Sequence, residues 1–335
     1  VYDSDAIKMK NIFNAQHNRT FSNINISVKT LRNFRIDISM TKFLLLYSLY
    51  FGFVLNTPIT SRLIEITADT SSWLFVYTAP VLLSCAFIII FSLFAIPYFA
   101  KPFFIFVLVS SAAACYATSK YGVLFDYSMI ENVIETNSSE MSSYVNLSSS
   151  SYLLFVGIIP AILIAFIRFN TQEPLLKRAF KRLMLVISAI LILLLIAACF
   201  YKSYASVGRN NSYLNKMIVP AHIFNSVKYL KKEVFTEKLA YKAQGTDAVL
   251  PAAVNGKPTL MVLIVGETAR SMNIGYNGYT RNTNPYTQNM GIISFQDVSS
   301  CGTATAHSLP CMFSNLNRNN YDKNRANSQD NVLDV

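Results

Sequence analysis

Five apolar spans govern what this chain can fold into. They run from about Thr41 to Asn56, Trp73 to Phe99, Pro102 to Thr118, Tyr152 to Ile167 and Leu183 to Tyr201. In a bilayer every backbone N–H and C=O must be satisfied within its own segment, so such runs predict transmembrane α-helices. The second span is long enough to cross with tilt, and the third and fourth lie near the lower limit of length. Pro160 predicts a kink in the fourth. Composition agrees: of the 335 residues, 52% are hydrophobic and only 14% charged, a balance suited to lipid rather than to a soluble enzyme. No short apolar core with a small-residue cleavage site follows the N-terminal residues, which predicts a retained anchor rather than a cleaved signal peptide.

The net charge is +11, and its distribution excludes nucleic acid as a partner. No Arg/Lys stripe interleaved with aromatics occurs in a polar segment. Basic residues instead flank the spans. The arm 1–40 carries Lys8, Lys10, Arg19, Lys29, Arg32 and Arg35, and the loop 168–182 carries Arg168, Lys177, Arg178, Lys181 and Arg182. The loops 57–72 and 119–150 hold one basic residue each, Arg62 and Lys120. The positive-inside rule therefore predicts a cytoplasmic arm and 168–182 loop, with everything after Tyr201 on the far side. The predicted domains are the arm 1–40, a five-span domain 41–202, an amphipathic bridge and linker 203–257, and a soluble domain from 258 to 335.

Two segments outside the spans have helical spacing. In loop 119–150, Met129, Ile130, Val133 and Ile134 recur as one face, while Asn132, Thr136 and Glu140 fall four apart on the other. Spacing alone describes an amphipathic helix lying on the bilayer. The Ser-rich stretch Ser148 to Ser151 predicts a flexible lead into the fourth span. Further on, Met217, Ile218, Ile223, Phe224, Val227 and Leu230 alternate with Lys216, Lys228, Lys231 and Lys232, a basic amphipathic pattern suited to an anionic surface.

From Pro258 the pattern changes. Thr259 to Val265 is an unbroken apolar run between Pro258 and Gly266, and Ile292 to Val298 is a second; both predict strands of an α/β sheet. Glu267 would stand at a strand tip, where a carboxylate can hold a cation or interact with the first amides of a helix. Thr303 and Thr305 sit in the turn after the second run, and either hydroxyl suits a metal-assisted nucleophile or a helix cap. Spacing does not separate them. Gly302 permits the tight turn before them. Cys301 and Cys311 flank this turn and can either pair or remain free, whereas Cys85, Cys115 and Cys199 in the spans are expected to be small buried hydrophobes. No CxxC zinc pattern is present.

The run GETARSMNIGYNGYTRNTNP (266–285), followed by SSCGTATAHSLPCMFS (299–314), resembles the lipid A phosphoethanolamine transferases, which include the mobile colistin-resistance enzymes. The resemblance extends back through the spans but not through residues 1 to about 30. It implies an inner-membrane anchor and a periplasmic domain of the alkaline-phosphatase/sulfatase fold. Thr305, the second Thr of CGTAT, becomes the nucleophile and Glu267 a zinc ligand. Cys301 and Cys311 become a disulfide, which closes a short loop and contributes about 2–3 kcal/mol. The polar stripe Asn132, Thr136 and Glu140 becomes the site for the lipid donor's head group. His307, two residues past Thr305, gains no ligand or base role from its motif position. Cys301 followed by Gly-Thr-Ala departs from the sulfatase CxPxR pattern, so sulfatase chemistry is not expected.

The expected architecture is thus an α-helical membrane domain of five transmembrane helices followed by the N-terminal part of an alkaline-phosphatase-like domain. The implied reaction moves phosphoethanolamine from phosphatidylethanolamine to a phosphate of lipid A through a phosphoethanolamine-threonine intermediate, with zinc as cofactor. Such a reaction lowers the surface charge that polymyxins need. The chain stops at Val335, before the family's remaining zinc ligands, so Glu267 and Thr305 alone would hold the metal weakly. Two alternatives stand beside this: a transferase of the same fold for another head group, such as glycerol phosphate, and an inactive membrane-anchored fragment.

Overall fold

Ser39 starts the first helix: its hydroxyl accepts from Lys42 N at 3.3 Å, capping α1 (Met40–Tyr50). The computed structural model describes residues 35–68, 73–96, 98–136, 141–142, 144–170, 172–235, 239–249, 260–266, 269–302, 304–317 and 319–334. α1 runs on through a π-helical turn, Phe51–Leu55. Phe43, Tyr47, Phe51 and Leu55 recur every four residues and are buried together. Phe43 and Tyr47 approach to 5.5 Å between ring centroids, Tyr47 and Phe51 to 4.8 Å. Phe91 and Phe104 close the cluster from neighbouring helices, and the Tyr47 hydroxyl donates to Phe104 O at 2.8 Å. Gly52 permits the closest approach. A Cβ there would stand 2.1 Å from Ser84 Oγ and 2.4 Å from Pro80 O, so no other residue fits.

Asn56 then turns the chain by 49° into α2 (Thr57–Thr67). A 3₁₀ turn, Trp73–Thr78, leads into α3 (Ala79–Leu93), and α4 follows (Ala100–Tyr121), ended by Gly122 at φ 68°. The second span is thus shorter than the sequence predicts, stopping at Leu93 rather than Phe99, and the third is longer than 102–118. The fourth is assembled from α6 (Leu147–Tyr152), a π turn (Leu153–Ile158) and α7 (Ile159–Phe166), after a helix α5 (Tyr127–Glu135) in the preceding connection. The serines expected to be a flexible lead are helical instead. Asn146 and Ser149 form a reciprocal capping box that fixes the helix start. Pro160 sits in the first turn of α7, directly after the π turn, and Val156 O, four residues before it, accepts the Tyr50 hydroxyl at 2.8 Å.

The last span belongs to α8 (Leu175–Asn210), 36 residues long. Lys177, Arg178, Lys181 and Arg182 lie in its opening turns rather than in a loop, a correction with a simple cause. Lys and Arg are good helix formers, and Glu173 just before the helix pairs with Lys181 at 2.5 Å and Lys177 at 3.7 Å. Ala189 of α8 packs on Cys85 and Ile88 of α3, and the small Ala189 and Cys85 side chains let the two helices approach. Leu191, Leu194, Leu195 and Tyr201 face outward. Cys199 is exposed too, unlike Cys85 and Cys115, because the outer face of α8 has no protein neighbour there. By length and composition, four described helices can cross a membrane and the bent pair α1–α2 makes a fifth.

Two contacts tie the span ends together. β1 (Ile36–Ile38) pairs in parallel with β2 (Ile167–Phe169), with Asp37 opposite Arg168, so the residues before α1 and after α7 share one end of the bundle. At the other end, Asn56 bonds to Val219, beyond α8 and the short α9 (Leu214–Met217).

The chain divides into two compact units. One comprises Val1–Asp126 with Ser138–Ser226, the other Tyr127–Asn137 with Val227–Val335. α10 (Ala221–Phe235) supplies residues to each. The second unit holds α5 and two C-terminal helices, α11 (Thr305–Phe313) and α12 (Lys323–Ala326). Its two expected strands are not formed. Residues 260–265 and 292–298 belong to no strand among the described residues, and their side chains face solvent, Leu260 at 87% and Phe295 at 78% exposure. A buried parallel strand exists only with hydrogen-bonded neighbours on its edges, and the described residues provide none for these runs. A single ladder contact nearby joins Lys242 to Gln329 among the described residues.

Candidate active site

Thr305 is the first residue of α11 and is exposed to solvent. The N-cap is Ala304, at φ −100° and ψ 138°, and its side chain caps nothing. Thr305 therefore does not fill the helix-cap role that its residue type allowed. Its hydroxyl stands at the positive end of the helix dipole, where a phosphate is favoured. A Cβ on Gly302 would sit 3.2 Å from His307 Cβ, a tight contact. Cys301 and Cys311 are joined by a disulfide, their Cα atoms 6.3 Å apart. The bridge ties the turn before Thr305 to the far part of a helix that Pro310 interrupts.

α5 packs against α11 within the same unit. A helix forms over this stretch, as the spacing predicts. Ile130 and Glu131 are the buried residues, while Val133 and Ile134 point outward. Glu131 is 3% exposed, and Lys323 Nζ donates to its Oε1 at 2.7 Å. His307 Nε2 lies 3.3 Å from Oε2. A buried carboxylate needs such a partner, since desolvating an unpaired charge is costly. Next to it, Asn132 is partly buried, and the Thr136 hydroxyl donates to Asn132 O at 2.6 Å, closing the last turn of α5. The ring of Tyr127 lies under Lys232 at 5.0 Å and Lys228 at 5.9 Å, and stands 5.8 Å from the Tyr229 ring, fixing the start of α5 on α10.

Sequence reasoning missed Glu131 and Lys323. Glu131 stands among apolar residues on a helix whose polar face was sought elsewhere, and its partner is 192 positions away. The available signal was a charged residue between Ile130 and the Val133–Ile134 pair. Glu140, Glu267 and Thr303 lie outside the described residues. No group of three or more His, Cys, Asp or Glu that could hold a metal occurs among the described residues. Thr305 offers one hard oxygen donor, which fits a single position of a metal site and does not complete one.

The comparisons agree with this layout. Residues 83–234 match the family model of phosphoethanolamine transferase EptA/EptB, and residues 259–335 match that of sulfatase. The phosphatidylethanolamine transferase Mcr-1 of Escherichia coli is 34% identical over 270 residues, 78% of this chain and 49% of that protein. The phosphoethanolamine transferase EptA of Escherichia coli K12 is 32% identical over 305 residues, 90% of this chain and 56% of its own length. Among solved structures, the integral membrane lipooligosaccharide phosphoethanolamine transferase A of Neisseria meningitidis superposes with a TM-score of 0.78 at 32% identity, covering 89% of this chain and 56% of that one. The chain thus spans about half the length of the relatives it matches. With residues 83–234 matched by one model, its Thr305 segment by the other, and relatives 32–34% identical over most of its length, the chain belongs to the EptA/EptB phosphoethanolamine transferase family.

Proposed function

We propose that Thr305 accepts phosphoethanolamine from phosphatidylethanolamine and passes it to a phosphate of lipid A, at the outer face of the bacterial inner membrane. The observation that carries this reading is the exposed Thr305 at the start of a helix, in one compact unit with α5 and its Asn132 and Thr136. In the first step Thr305 Oγ attacks phosphorus, the bond from phosphorus to the glycerol oxygen breaks, and the Thr305 proton leaves with diacylglycerol. In the second, a lipid A phosphate oxygen attacks the same phosphorus, the bond from phosphorus to Thr305 Oγ breaks, and Thr305 Oγ takes up the proton that the lipid A phosphate gives up. Asn132, Thr136 and Glu140 supply oxygen and amide groups suited to the ethanolamine ammonium. The names of two relatives, phosphatidylethanolamine transferase and lipooligosaccharide phosphoethanolamine transferase, support this choice of donor and of acceptor class. The cofactor assigned is zinc, with Glu267 and Thr305 as two donors. Two donors do not make a tetrahedral site.

Mass spectrometry of the full-length, membrane-inserted protein tests the assignment. Thr305→Ala should abolish the phosphoethanolamine adduct and leave membrane insertion intact, with Thr303→Ala milder. Loss of the adduct in Thr303→Ala alone would transfer the nucleophile to Thr303. Supplying lipids labelled in different head groups decides between phosphoethanolamine and another group such as glycerol phosphate.

A further inference from the structure

We infer that Glu131 is a positioning residue for Thr305: its carboxylate holds the helix that begins at Thr305 against the helix that carries Asn132 and Thr136. This rests on Thr305 being the nucleophile. Neither transfer step uses Glu131, yet it is the only carboxylate among the described residues that is buried. The C-terminal segment approaches both of its oxygens, and among the described residues only Oε1 is hydrogen-bonded. Oε1 accepts from Lys323 Nζ at 2.7 Å, and Oε2 faces His307 Nε2 at 3.3 Å. Lys323 is the first residue of α12, which Asp322 caps by accepting from Arg325 N at 2.9 Å, so the lysine projects from a fixed helix start. His307 is two residues beyond Thr305, and Glu131 is adjacent to Asn132. One carboxylate therefore links α5, α11 and α12.

Physical chemistry favours a role in orientation over one in stability. A buried ion pair recovers little more than its own desolvation cost, so its benefit lies in selecting one arrangement of the groups it joins. Here the groups joined are the helix with the attacking hydroxyl and the helix with the head-group residues. Transfer reactions are sensitive to such placement, because an error of about 1 Å in a reacting group can cost on the order of 100-fold in rate.

The test is a single-turnover measurement on the full-length, membrane-inserted protein with vesicles containing labelled phosphatidylethanolamine, reading the covalent label on Thr305. Glu131→Gln should slow labelling at saturating donor about tenfold or more, while the half-saturating donor concentration stays within about twofold. Lys323→Met should act in the same direction. The double variant should be no slower than the slower single one, because both remove one interaction. The exchanged pair, Glu131→Lys with Lys323→Glu, should label faster than Glu131→Lys alone. Wild-type rates in Glu131→Gln, or losses that multiply in the double variant, overturn the inference. Should Glu131→Gln fail to fold, Lys323→Met decides alone, and a wild-type rate there overturns it. Label persisting in Thr305→Ala would instead refute the nucleophile assignment, so the two failures are distinguishable.

Discussion

Asn56 and Val219, 163 positions apart, are joined by two reciprocal hydrogen bonds. Val219 N donates to Asn56 Oδ1 at 2.9 Å, and Asn56 Nδ2 donates to Val219 O at 3.0 Å. The same Nδ2 reaches Phe51 O at 2.9 Å, in the π turn that ends the first span. Asn56 is fully buried, so Asn56→Leu strands three backbone groups without partners and should cost about 2–4 kcal/mol. Asn56→Asp keeps the acceptor for Val219 N and loses both donations. Thermal unfolding in detergent should show lower midpoints for both. A Leu variant that melts within about 1 °C of wild type would show that this clasp does not hold the bend.

The two clasps also set the parity of the crossings. β1 to β2 joins the chain before the first span to the chain after the fourth, and Asn56 to Val219 joins the end of the first span to the chain after the fifth. With the first span ending at the Asn56 bend, both pairings are consistent with four spans that return the chain to its starting side and a fifth that crosses again. The basic arm and the Lys/Arg-rich start of α8 predict a cytoplasmic starting side. Reporter fusions after Asn137 and after Gly256 should therefore both signal periplasm. A cytoplasmic signal from either breaks the five-span arrangement.

His222 gives a pH dependence. It lies beyond the spans at the start of α10, and burial pushes its imidazole from the ordinary 6.5 down to about 4. Nε2 meets Ser110 Oγ at 3.1 Å, the Phe125 ring stands 6.1 Å away, and Nδ1 has no hydrogen-bond partner among the described residues. The folded protein keeps this ring neutral where the unfolded chain would protonate it. The unfolded state thus binds more protons between pH 6.5 and 4, so stability is complete above that window and falls as pH drops through it. The full effect is on the order of 3 kcal/mol. Thermal midpoints from pH 7 to 4.5 should decline in wild type and decline less in His222→Gln. Parallel curves for the two proteins would remove His222 as the cause.

Much of this architecture was legible in the sequence because its signals are local. A span is a continuous apolar run, and the Cys301, Thr305, Cys311 spacing is a contiguous motif. Boundaries were less legible. α8 starts at Leu175 because lysines and arginines continue a helix as readily as they end a span. The bend at Asn56 and the burial of Glu131 depend on partners at Val219 and Lys323, and no window of sequence contains such pairs. Helical spacing located α5 but not the burial of Glu131, whose carboxylate is paired with the lysine on α12.

The unformed strands lead to the last prediction. Leu260, Met261, Val262 and Ile264 are more than half exposed, as are Ile293, Phe295 and Val298. Left in water, a run of this kind forgoes roughly 1.5–3 kcal/mol for each large side chain that a sheet would bury. Its amides also lack the ladder bonds that slow exchange. A polypeptide of these 335 residues alone should therefore exchange its amides at 261–264 and 293–298 within the fastest class, while those of α1 and α4, in the aromatic cluster, stay protected. It should also bind a hydrophobic dye at these runs. Substituting Val262 and Phe295 by Thr should reduce dye binding without lowering the melting of the membrane helices, since neither side chain is buried. After dialysis the same polypeptide should retain no stoichiometric zinc, because a tetrahedral site needs more donors than Glu267 and Thr305 supply. Slow exchange at 261–264, or one equivalent of zinc retained, would mean that these residues form a paired and liganded sheet on their own.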